Sequence, residues 1–265
     1  MSQFLINGKK SKLSGSISAR GAKNASLKAF AASLLFDNGI KVENVPLIED
    51  INQMRLLLEN TGVSCEKRGE RSFFLKKQKS LKTTLQKDIA KALRASIVLT
   101  GPLLSREGKV SFPHPGGCII GKRPIDLFLK GFELMGASCE IDADNYNLKA
   151  RRLKGARITF RQVSITATET LMMAAVLAKG KTVLENAACE PEITALADFL
   201  NSCGARIRGA GTPFVAIEGV SSLKSGVFVT PPDRLEAGSF AILASASQSR
   251  LRITDCLPEH LSNLL

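Results

Sequence analysis

The chain has 265 residues and 28.5 kDa, with 37 lysines and arginines against 24 acidic residues, a net charge of +13 and a pI near 9.7. With 44% apolar and 23% charged residues it has the composition of a folded globular protein rather than a disordered one. Its longest uncharged stretch, Ala237 to Ser249, has 13 residues where a membrane helix needs about 20, so no membrane span is expected.

The first stretch, Met1 to Lys10, has a very short apolar run without preceding basic residues or a small-residue cleavage site, so no secretory signal is expected. Apolar residues at helical spacing fill Ala25 to Leu35, and Gly39-Ile40-Lys41-Val42 closes that helix and opens a strand. A second helix spans Ile48 to Asn60 and reaches Gly62. From Cys65 to Val110 the chain carries 12 basic and 4 acidic residues, a candidate anion-facing surface, with Lys76, Lys77, Lys79 and Lys82 read as a solvated loop face. A helix over Ala92 to Leu104, a strand at Gly108-Lys109-Val110-Ser111, a helix over Ile125 to Met135, and a hairpin from Cys139 to Ile141 through Ala143-Asp144-Asn145 to Tyr146 to Leu148 follow. Then come a strand at Arg157 to Phe160, a helix over Thr168 to Ala178, a strand at Gly180 to Val183 and a helix over Glu192 to Ser202. Val227 to Thr230, Arg234 to Ser245, Leu251 to Ile253 and the start of a helix at Glu259-His260-Leu261 open the same series again.

The series is a repeat. Gly62, Gly136 and Gly204 are 74 and 68 residues apart, and Gly39, Gly108 and Gly180 are 69 and 72 apart, which gives a unit of about 70 residues present three times and begun a fourth. Each unit reads β-α-β-α-β-β, an α/β (α+β) architecture with a shared core. Between its two glycine anchors the second unit has 28 residues where the first has 23 and the third 24. The excess lies in Pro113 to Pro124, and an insertion that breaks a repeat is where a binding loop is carried.

That loop places Cys118 on a glycine-rich turn, four residues before Lys122 and five before Arg123. Backbone N–H groups and cations lower a thiol pKa and bind anions, so Cys118 is a candidate reactive thiol, whereas Cys65, Cys139 and Cys203 read as small buried hydrophobes. With Cys189 and Cys256 they make six cysteines without a C-x-x-C pair; beside only His114 and His260 they disfavour a zinc site or disulfide framework and fit a reducing compartment. At the starts of the first helices stand Lys23-Asn24, Arg94, Ser164 with Thr166 and Glu169, and Asp233-Arg234 with Glu236. Cations beside helix N-termini make phosphate or carboxylate sites. Without Trp and with one Tyr, a stacking platform for nucleic acid is poorly supported, and a nucleic-acid binder rests on charge alone.

The motifs Ser18 to Ala25, Leu93-Arg94-Ala95-Ser96, Gly116 to Asp126, Ser164 to Glu169, Glu185 to Ile193 and Pro232 to Glu236 occur in the order that marks a known family. On them the chain resembles the UDP-N-acetylglucosamine 1-carboxyvinyltransferase family of enolpyruvyl transferases, truncated at the C-terminus. The resemblance implies a pseudo-threefold first domain at 21–229, with 1–20 and 230–265 a fragment of a second such domain, and substrates bound between the two. It implies transfer of the enolpyruvyl group of phosphoenolpyruvate to the 3'-hydroxyl of UDP-N-acetylglucosamine in peptidoglycan precursor synthesis, in the cytoplasm, with no metal or organic cofactor and no nucleic-acid or membrane partner. Cys118 matches the family's proton donor. Lys23, Asn24, Arg94 and Arg123 match its phosphoenolpyruvate contacts. Arg94, Arg123, Pro124, Ile125, Asp126, Leu127, Val163, Ser164 and Ile165 match its sugar-nucleotide contacts. Phe128, Gln162 and Lys122 depart from the family pattern. The family's general base and a further phosphate-contacting arginine match no residue here, so little turnover is expected from these 265 residues alone. Two alternatives stay open: an inactive sugar-nucleotide-binding remnant, and 3-phosphoshikimate 1-carboxyvinyltransferase, against which the loop cysteine speaks.

Overall fold

The computed structural model describes residues 3, 5, 12–114, 125–142 and 145–265. In chain order, strand β1 (Ser14–Ser18) leads to helix α1 (Lys23–Ala32), which tightens into a 3-10 turn at Ser33–Leu35, then β2 (Ile40–Glu43), α2 (Glu49–Thr61), β3 (Val63–Gly69) and β4 (Ser72–Lys77). The second repeat holds α3 (Lys87–Ala92), a 3-10 turn at Arg94–Leu99, α4 (Thr100–Glu107), β5 (Lys109–Pro113), α5 (Asp126–Leu134), β6 (Ser138–Ile141) and β7 (Asn145–Lys149). The third holds β8 (Arg157–Thr159), α6 (Ile165–Val176), β9 (Lys181–Glu185), α7 (Pro191–Ser202), β10 (Arg206–Arg208) and β11 (Phe214–Glu218). β12 (Val227–Val229), α8 (Arg234–Ala246), β13 (Arg250–Thr254) and a 3-10 turn at Pro258–Leu261 complete the series. The α/β class and the recurrence of the units are as expected.

The chain divides into two compact units, Met1–Ala22 with Pro232–Leu265, and Lys23–Pro231. In the smaller, β1 pairs parallel with β13 from Ser14↔Arg250 to Ser18↔Thr254. In the larger, each repeat builds the same sheet. The third has the order β10-β11-β9-β8, antiparallel except for the parallel pair β8–β9. The first has β3-β4-β2-β12, again with one parallel pair at the end, Val227↔Lys41 to Val229↔Glu43. In the second, β6-β7-β5 is extended by a parallel bridge Thr84↔Ser111, where Ser111 N–H donates to the Thr83 carbonyl at 2.8 Å and Leu85 N–H to the Ser111 carbonyl at 2.9 Å.

Three expectations are corrected. Val227 to Val229 does not lead a fourth unit's sheet but completes the first unit's, because β2 there exposes a free edge and Phe228 has a buried place edge-on to Phe199, 5.3 Å between ring centres. The helix expected over Ala92 to Leu104 is three pieces. Leu93 is extended (φ −116°, ψ 109°), the Ser96 hydroxyl donates to the Ala90 carbonyl at 2.9 Å, and Pro102, which lacks an N–H, is accommodated in the first turn of α4. The helix expected from Glu259 is a single 3-10 turn.

The core of the larger unit is built on first helices. Residues 25–32 of α1 and 167–176 of α6 are buried on every face and are small or apolar except for Ser26, Lys28, Thr168, Glu169 and Thr170. The anchors Gly62, Gly136 and Gly204 take φ of 108°, 90° and 102°, left-handed values that favour glycine and turn each outer helix into its hairpin. Among the described residues no helix is long and apolar enough to cross a membrane.

Candidate functional site

Helix α1 starts with Lys23 and has no acidic residue in its first turn, so its unpaired N–H groups and the lysine add to one positive end. Lys23 is exposed and its Nζ lies 2.9 Å from Asp50 at the start of α2; Asn24 beside it is half-buried. Arg94, half-buried, opens the 3-10 turn at Arg94–Leu99, and that turn packs against both α1 and α6. α6 is capped by Ser164, whose Oγ accepts from Ala167 N–H at 3.2 Å, while Val163 before it is exposed. Lys23-Asn24, Arg94 and Ser164-Ile165 therefore sit on three elements joined through one buried turn.

A second feature is a groove of about 160 Å³ between the first turns of α5 and the end of β8. Asp126, Leu127 and Lys130 line one side, and Thr159, Phe160 and Arg161 the other. Arg161 forms an ion pair with Asp126 Oδ2, while Asp126 Oδ1 is buried without a hydrogen-bond partner among the described residues. The rest of the Asp126 side chain is half-exposed to the groove. Ile125, the N-terminal flank of α5, is buried and supports the turn. Arg161 was not singled out by the sequence; its only sequence signal is a cation just after a short strand. Phe128 faces the core, and Gln162 is exposed. A wider hollow of about 370 Å³ is lined by Lys41, Arg68 and Phe74, none of them singled out for a site. Cys118, Lys122, Arg123 and Pro124 lie outside the described residues.

Among the described thiols, burial pushes Cys65 up to about 12, with Glu59 adding to the effect and Arg55 opposing it, and burial likewise raises Cys139 and Cys203. Cys189 is exposed. The thiolate is the nucleophile, so at about pH 8 only about one Cys65 in 10⁴ is reactive. Iodoacetamide labelling resolved by peptide mass should modify Cys189 at least ~10²-fold faster than Cys65; comparable rates would mean that the half-buried Cys65 thiol is not held up as described.

No group of three or more metal-ligating side chains occurs among the described residues. The chain matches the family EPSP synthase (3-phosphoshikimate 1-carboxyvinyltransferase) over residues 8–264. The chain belongs to this family. Among curated relatives it is 42% identical over 265 residues to a UDP-N-acetylglucosamine 1-carboxyvinyltransferase of Desulforapulum autotrophicum, covering 100% of this chain and 63% of that protein. It is 43% identical over 267 residues to the protein of that name from Geobacter metallireducens, again covering 100% and 63%. The resemblance drawn from the motifs is borne out by these relatives. The chain spans about 63% of their length. Two solved structures share the fold: the enolpyruvyl transferase NikO from Streptomyces tendae (TM-score 0.79, 22% identity, covering 92% of this chain and 58% of that one) and an EPSP synthase from Acinetobacter baumannii (TM-score 0.71, 18% identity, 88% and 53%).

Proposed function

We infer that this EPSP-synthase-family chain supplies the sugar-nucleotide and phosphoenolpyruvate half-sites of a UDP-N-acetylglucosamine 1-carboxyvinyltransferase. The groove at Asp126 and Arg161 is the observation that carries the reading, because a half-exposed carboxylate paired with a cation suits a nucleoside that offers N–H or O–H donors. The relatives at 42 and 43% identity bear that enzyme's name, which supports it over the 3-phosphoshikimate alternative. In the reaction a C–O bond forms between the sugar 3'-oxygen and C2 of phosphoenolpyruvate, C3 gains a proton and later loses one, the hydroxyl proton goes to a base, and the C2–O bond breaks to release phosphate. Such a path needs an acid at C3 and cations on the phosphate and carboxylate.

We assign the acid to Cys118 and the anion contacts to Lys23, Asn24, Arg94 and Arg123. Arg94, Arg123, Pro124, Ile125, Asp126, Leu127, Val163, Ser164 and Ile165 take the sugar nucleotide. A cytoplasmic location and a role in cell-wall biogenesis, and through it in cell shape and division, go with this reading. Titration calorimetry with UDP-N-acetylglucosamine tests it through the groove. Asp126→Ala should weaken binding about 10- to 100-fold, the range of a charge-assisted hydrogen bond. Undiminished affinity in that variant would place the nucleotide elsewhere.

A further inference from the structure

Lys28 and Glu169 form an ion pair inside the larger unit, with Lys28 Nζ 2.9 Å from Glu169 Oε2 and side chains 7% and 0% exposed. Lys28 stands four residues after Asn24 on α1, and so on the same helix face. Glu169 stands on α6 four residues after Ile165, one turn beyond the Ser164 cap. α7 packs against both helices, and next to Glu169 the Thr168 hydroxyl accepts from Ala188 N–H at 3.1 Å, tying α6 to the loop that enters α7. From that side Glu190 and Glu192 face the pair; Glu192 is buried. The charges of Glu190 and Glu192 thus act on the pair where α1, α6 and the start of α7 converge.

Two apolar side chains of similar volume would fill this place at no electrostatic cost, because an ion pair taken out of water gains little net stability. What the pair adds is a fixed separation between two helices. The ammonium must lie within about 3 Å of one carboxylate, and this fixes how far α1 can slide or rotate against α6. We propose that Lys28 and Glu169 are positioning residues whose contact holds the first turn of α1, with Lys23 and Asn24, in register with the capped first turn of α6. The proposal rests on the reading of those two turns as the phosphoenolpyruvate and sugar-nucleotide half-sites.

The test compares the full chain with Glu169→Gln, Glu169→Asp and the apolar double variant Lys28→Met with Glu169→Met. Amide hydrogen exchange is followed over residues 23–32 and 164–176, and phosphoenolpyruvate binding by calorimetry. In Glu169→Gln, exchange at residues 23–28 should rise at least ~10-fold and phosphoenolpyruvate affinity fall at least ~5-fold. Glu169→Asp, which keeps the charge, should recover part of both. The double variant should fold with near wild-type thermal stability, as apolar replacements of buried pairs do, yet keep the raised exchange and weakened binding. Full recovery of protection and affinity in the double variant, or wild-type behaviour of Glu169→Gln, would overturn the proposal and leave the pair a packing element. If the wild-type chain itself binds no phosphoenolpyruvate, the assignment of the half-site fails, while the exchange at residues 23–28 still decides the register proposal.

Discussion

Gly101→Ala should destabilise the larger unit by about 2–3 kcal/mol, although alanine is the better helix former by about 1 kcal/mol. Gly101 lies in the first turn of α4, which packs on α6. A Cβ there would stand 2.3 Å from the Thr170 carbonyl oxygen and 3.2 Å from its carbonyl carbon and Cγ2. The obstacle is backbone in the middle of a helix buried over residues 167–176, so it has no room to retreat. Close packing makes such overlap costly, since strain spreads into neighbours that are already at van der Waals contact. Gly131 and Gly238 calibrate the effect. At Gly131 a Cβ meets the Cδ1 and Cδ2 atoms of Leu171, the far end of a flexible side chain, and at Gly238 it meets Leu264 Cδ2 at 3.1 Å. Urea unfolding should rank the alanine variants Gly101 as worst, Gly131 as milder and Gly238 as near wild type. A Gly101→Ala midpoint equal to wild type would mean that α4 and α6 do not approach this closely.

The glycine anchors made the repeat legible because their left-handed backbone is a local demand that only a few residues meet, and it recurs wherever an outer helix turns into its hairpin. Helices α2, α5 and α7 were legible within a few residues of their ends because one-sided burial writes the helical period into the chain, and α1 and α6 because a mostly small and apolar run ends at a glycine. The second unit's broken helix was not. Apolar residues continue through Leu93, Ile97 and Leu104 with helical spacing, while the break depends on the Ser96 hydroxyl taking the Ala90 carbonyl and on Pro102 lacking an N–H. The partner of β12 was also hidden. Val227 and Lys41 are far apart in sequence, and period-2 alternation says that a strand exists without saying what it pairs with.

The candidate site divides along the same line. Lys23, Asn24, Arg94 and Ser164 stand at helix starts, where chemistry and sequence position coincide, and the structure joins their elements through the Arg94–Leu99 turn. Arg161 owes its place to Asp126, 35 residues away, and could not be read from its neighbours. Glu169 stood out as an acid in an apolar helix, but Lys28, the cation that explains it, passed as one more lysine in a basic chain.

That buried acid sets an unusual expectation for the pH dependence of stability. Burial raises the Glu169 carboxyl from its ordinary 4.5 to about 7; the charge and hydrogen bond of Lys28 oppose the rise, and Glu192 and Glu190 add to it. The folded state therefore holds this proton more tightly than the unfolded chain does. Below about pH 4.5 the group is protonated in both states and costs nothing; as pH rises toward 7 the unfolded chain gives up its proton first, and stability falls. At about 1.4 kcal/mol per pH unit, the full loss from Glu169 is about 3 kcal/mol, most of it between about pH 4.5 and about pH 7. Asp37 acts in the opposite sense. Its burial alone would raise it, but hydrogen bonds and charges from Arg106 and Lys77 hold it below the ordinary value, so its contribution is present at neutral pH and lost only as pH falls through the acid range. The windows do not overlap. Denaturant unfolding of wild type and Glu169→Gln across that range should show the wild type losing about 2–3 kcal/mol relative to the variant as pH rises. Parallel curves would mean that Lys28 keeps Glu169 ionised throughout, and that the pair bears its full charge in acid as well.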